Sequence, residues 1–158
     1  MARQTTKRRS SKGGVGGVGV SSLLVVSCIV ESWPDYTLIM ARSQFENLQV
    51  YRLAEQLADA VWKVVKSWPA FEQRTIGLQL IRSSDSIGAN IAEGTGRGTF
   101  QDNRRFVRIA RGSLYETKHW LRRAFARQLL TSEEISVLKA IVDELSPKLN
   151  SYLQSIGP

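Results

Sequence analysis

Between residues 97 and 127 the sequence places nine lysines and arginines (Arg97, Arg104, Arg105, Arg108, Arg111, Lys118, Arg122, Arg123 and Arg127) against two acids, Asp102 and Glu116. That stretch carries a net +7, more than the net +5 of residues 40–158, where seventeen cations face twelve acids. Crowding one sign of charge on a helix costs roughly a few tenths of a kcal/mol per adjacent pair, and a bound polyanion would offset it. Stepping residues about 100° apart gathers Arg104, Arg108, Arg111, Lys118 and Arg122 into a sector of about 80°, almost opposite the apolar stripe of the same helix. Tyr115 falls inside that sector and His119 beside it, which puts a ring for base stacking among cations. With Arg97 at the helix start, these residues form a candidate nucleic-acid-binding face. Three uses stay open: a nucleic-acid backbone, an acidic protein partner, or a solvated surface. Because neither a helix-turn-helix nor an RNA-recognition motif occurs, backbone binding would show little sequence choice and a steep salt dependence.

Two other groups invite a chemical reading. The stretch "SIGANIAEGTGRGT" (86–99) clusters Gly94, Gly96 and Gly98 around Arg97. A phosphate-cradling loop would need a preceding strand and a following Lys-Ser/Thr. Here helical periodicity precedes and no lysine follows. Gly94 and Gly96 are therefore expected to end a helix through positive φ angles, with Thr99 starting the next. Glu93 as a general acid or base lacks a His, Cys or second carboxylate in its motif. Arg82, Asn90, Glu93 and Arg105 are instead expected to form a structural polar network that fixes helix or protomer register. With one histidine, His119, and one cysteine, Cys28, the chain is expected to hold no metal, no cofactor and no catalytic site.

Four amphipathic helices must position these residues. The first spans about 43–68, with Val50, Ala54, Leu57, Val61, Val64, Val65 and Trp68 inward, and Pro69 stops it. The second, about 72–94, buries Ile76, Leu80, Ser83, Ser84, Ile87 and Ile91 on a face thinned by small residues. The third, about 99–129, starts at Thr99 with Asp102 three positions on. Its inward stripe reads Phe106, Ile109, Ala110, Ser113, Leu114, Thr117, Trp120, Leu121, Ala124 and Phe125. The fourth, about 132–155, begins at Thr131 or Ser132 and repeats Ile135, Leu138, Ile141, Val142, Leu145, Leu149 and Tyr152. Pro147 should kink it or end it early. Short connections favour an all-α, antiparallel up-down-up-down bundle over residues 40–158.

Residues 1–39 differ in kind. "MARQTTKRRSSK" runs into the Gly/Val-rich "GGVGGVGVSSLLVVSCIV". This is read as a disordered extension or a misplaced gene start, Met40 being the native one. A secretory leader is the competing reading, because "VVSC" resembles a lipoprotein cleavage box. Without that leader the chain is expected in the cytoplasm. A net charge of +8 and a pI near 10.1 favour polyanionic partners.

"QLIRSSDSIGANIAEGTGR" (79–97) followed by "RRFVRIARGSLYE" (104–116) closely resembles the four-helix-bundle proteins encoded in intervening sequences of bacterial large-subunit ribosomal RNA genes. Avd, the accessory protein of diversity-generating retroelements, is similar. The likeness covers roughly 45–156 and departs from the usual pattern at Ile81, where a basic residue is common, and at Gly88, where proline is common. It implies a homopentameric barrel of non-enzymatic protomers. For the retroelement relatives it implies engagement of a reverse transcriptase and of nucleic acid.

Overall fold

The computed structural model describes residues 43–158; the readings of residues 1–39 lie outside them. Among the described residues the chain is all-helical: α1 (Gln49–Lys66), α2 (Leu78–Thr95), α3 (Phe100–Ala126) and α4 (Ser132–Ser155). None of these helices is long and apolar enough to cross a membrane.

A short 3₁₀ turn, Gln44–Asn47, precedes α1, so the helix begins later than the apolar pattern alone predicts. At the far end of α1, Gln73 reaches back and donates to the carbonyls of Lys66 (3.1 Å) and Trp68 (2.7 Å). These acceptors have no partner within α1, and a side chain from the next element satisfies them. Ala70–Glu72 and a π-helical turn, Gln73–Gly77, then run into α2. The wider turn lies where Gly77 presses on α1: a Cβ there would sit 2.6 Å from Val65 Cγ1. Thr99 caps α3 by accepting the Asp102 N–H at 3.1 Å. Thr131 and Glu134 cap α4 reciprocally, at 3.2 and 2.8 Å.

The core draws on all four helices. α1 packs on α2 and α4, α2 packs most heavily on α3, and α3 meets α4 along a thinner seam. Cross-helix pairs fix the register: Gly88 against Tyr51 and Ala54, Thr117 Oγ1 3.1 Å from Ser83 Oγ, and Lys148 Nζ donating to Gln49 Oε1 at 2.9 Å. The buried hydroxyls are satisfied locally, Ser83 by the Leu80 carbonyl, Ser84 by Ile81 and Thr117 by Ser113. Small polar side chains thus let α2 and α3 approach with these hydroxyls satisfied, while Asn103 Oδ1, beside Gly94 in the same interface, is buried without a partner.

Three expectations are corrected. Gly94 does not end α2 by a positive φ; the helix continues to Thr95, and Gly96 keeps a right-handed φ of −77°. Gly94 is needed for clearance, since a Cβ would stand 2.8 Å from Asn103 Oδ1 and 3.0 Å from Phe106 Cβ of α3. The left-handed residue is Gln128 (φ 58°), closing α3 with Gln128 N–H to Phe125 O and Leu129 N–H to Ala124 O. Second, of the two outcomes expected at Pro147, the early end does not occur: its side chain is exposed and α4 runs through it to Ser155. Third, Val107 is fully buried whereas Ile109 and Phe125 are exposed, so the inner face of α3 is rotated from the expected stripe.

Candidate nucleic-acid interface

α3 is a 27-residue helix, about 40 Å long, and it carries the cationic side chains on one rigid rod. Arg104, Arg108, Arg122 and Tyr115 are exposed; Arg111 and Lys118 are half-buried. With 100° per residue, the buried set of Val107, Ala110, Leu114, Thr117 and Ala124 lies about 110° from the arginine sector. The ridge therefore flanks the core and does not stand opposite it. That explains why Arg111 and Lys118, on its inner edge, have their stems partly covered.

Among the described residues none of these five cations forms a salt bridge; the ion pairs there are Arg97–Glu93, Lys139–Asp143 and Lys148–Glu144. Lys118 Nζ lies 5.9 Å from the Tyr115 ring centroid, a weak cation–π contact on a ring that is 58% exposed. His119 meets Trp120 edge-on at 5.0 Å, and Trp120 Nε1 donates to Glu116 at 3.3 Å. Glu116 is thereby turned away from the ridge, toward Trp120.

The structure separates Arg97 from the other six candidate residues. It lies on the α2–α3 connection, ion-paired with Glu93 and stacked over Phe106 at 4.8 Å. Phe106 is about 160° around α3 from the ridge. An i,i+4 carboxylate on α2 captures the guanidinium on the other side of α3.

The expected polar network does not join within one chain. Asn90 donates to the Ser86 carbonyl of its own helix at 2.7 Å, Glu93 pairs with Arg97 at the surface, and Arg82 and Arg105 are exposed. Asp85, also on α2, has its carboxyl pKa raised from 3.8 by burial and then by Asp59 of α1. Glu93 sits in solvent beside a cation, and among the described residues no group of His, Cys, Asp and Glu is placed to hold a metal ion.

Sequence reasoning missed Phe125 as a surface residue. It is 62% exposed, next to Lys118 and Arg122, over a groove between α3 and α4. Its place on the helical wheel, beside Val107, gives it an inward reading, yet the ring stands open at the groove.

No curated protein matches this chain. Among solved structures, the chain resembles a protein of unknown function from the S23 ribosomal protein family of Bacteroides thetaiotaomicron. The two are 25% identical with a TM-score of 0.61, over 67% of this chain and 96% of that one. Residues 46–151, which include α1, α2, α3 and most of α4, match the family described as 23S rRNA-intervening sequence protein, and the chain belongs to that family.

Proposed function

We propose that the protein is a non-enzymatic oligomeric adaptor that binds nucleic acid, RNA or an RNA/DNA hybrid, through the α3 ridge with little sequence choice. The carrying observation is that Arg104, Arg108, Arg111, Lys118 and Arg122 share one edge of one helix with no carboxylate among the described residues paired to any of them. A family named for a ribosomal RNA insertion agrees with a nucleic-acid association. The helix pairings Gly88–Tyr51, Thr117–Ser83 and Lys148–Gln49 support an antiparallel bundle. The homopentameric barrel, the cytoplasmic location and a reverse-transcriptase-type partner, as for Avd, belong to this proposal through the family resemblance. Exposed apolar side chains on outer faces, Trp62 at 57% and Val137 at 55%, favour self-association. They also support a second reading, a purely structural scaffold without nucleic acid.

The test is gel retardation of RNA and single-stranded DNA by the full chain, with light scattering alongside. Five phosphate contacts on a single strand predict a log K against log salt slope of about −3.5. The triple variant Arg104→Glu, Arg108→Glu and Arg111→Glu should lose retardation while keeping the parent's melting temperature. Full binding by the folded triple variant removes the ridge from the function. An oligomer that ignores RNA at low salt establishes the scaffold reading.

A further inference from the structure

Between the end of α3 and the start of α4 the bundle leaves a groove of about 430 Å³. Its floor is Leu121, Phe125, Leu138 and Val142; its walls carry Lys118 and Arg122 on α3, and Lys139 with Asp143 on α4. Lys139 and Asp143 neutralise each other as an ion pair, which leaves Lys118 and Arg122 uncompensated. A phenyl ring left open to solvent beside two cations is a costly surface for an isolated protomer.

We propose that this groove docks an amphipathic helix of a partner protein whose apolar face is flanked by carboxylates. Dimensions support that occupant. Lys118 to Phe125 and Ile135 to Val142 are each seven residues apart, so each wall runs about 10 Å, two helical turns. A docked helix sets its anchors at i, i+3, i+4 and i+7 over that same length. Charge supports it too: the α3 wall repels a basic helix and attracts an acidic one. Nucleic acid fits the groove less well than the ridge, because the floor offers one ring among aliphatic side chains and no stacking platform for successive bases. The groove shares Lys118 and Arg122 with the ridge but not Arg104, Arg108 or Arg111. One α3 helix thus presents two overlapping surfaces, a polyanion edge along its length and a helix-docking groove toward its end.

The probe is a fluorescein-labelled peptide of about twelve residues, with leucines at i, i+3, i+4 and i+7 and glutamates on both flanks. Fluorescence anisotropy with the full chain should show saturable binding that a scrambled peptide of equal composition lacks. Phe125→Ala and Arg122→Glu should each weaken it tenfold or more at unchanged melting temperature; both sites are exposed. The Arg104, Arg108, Arg111 triple variant should bind the peptide like the parent, so loss of RNA binding and loss of peptide binding are separable. Absent binding, equal binding of the scrambled peptide, or parental binding by Phe125→Ala would overturn the proposal. So would a change in sedimenting mass with Phe125→Ala and no peptide binding, which makes the groove a contact between copies.

Discussion

Asp85 illustrates how one side chain can couple the fold to pH. Burial, reinforced by the Asp59 charge on α1, lifts its carboxyl pKa above 3.8 in the folded chain. The ionised form is therefore the unfavourable one in the fold. Its cost is complete above the raised pKa, lessens as pH falls through that value, and is gone below 3.8. Asp85→Asn should raise the melting temperature near neutral pH, and the gain should shrink as the solution is acidified toward the unfolded value. Calorimetry across that range checks both. None of this is legible in the sequence, because Asp59 and Asp85 meet only once α1 lies beside α2. Likewise the four polar residues assigned to a network are widely spaced along α2 and α3, and spacing does not say whether they face one another. The cationic side chains were legible for the opposite reason: a helical period places them on one edge whatever the neighbours are.

At the scale of helices, two glycines with the same letter have opposite meanings. Gly94 is buried where α3 crosses α2, and an added Cβ would collide with Asn103 and Phe106. Gly112 lies mid-α3 with nothing within 4 Å of an added Cβ. Gly94→Ala should cost about 1–3 kcal/mol through overpacking, whereas Gly112→Ala should add about 0.5–1 kcal/mol by restricting the unfolded chain. Urea titration of both variants gives the signs. Sequence cannot separate the two uses, since a glycine before a turn signals chain reversal and close approach alike. The start of α4 was legible to within one residue, Thr131 or Ser132; the structure places the cap on Thr131, joined reciprocally to Glu134. The π-helical turn at Gln73–Gly77 was not, because it answers a contact with Val65 that is distant in sequence. The inner face of α3 was legible only in part: Phe125 has the wheel position of a core residue but is exposed at the groove between α3 and α4.

For the whole molecule, four helices and the 23S rRNA-intervening sequence family were both legible, the first from periodicity and the second from two long ordered motifs in α2 and α3. Number of copies and choice of partner depend on surfaces meeting other molecules, which no intrachain pattern records. The thin seam between α3 and α4 has a consequence of its own. Cooperative structure is lost first where burial is least, so the opening half of α4 should be the earliest region to take up deuterium, while the amides of the α2–α3 pair stay protected. The molecule would then breathe on one flank, beside the exposed Phe125 ring, and remain rigid under its arginine row.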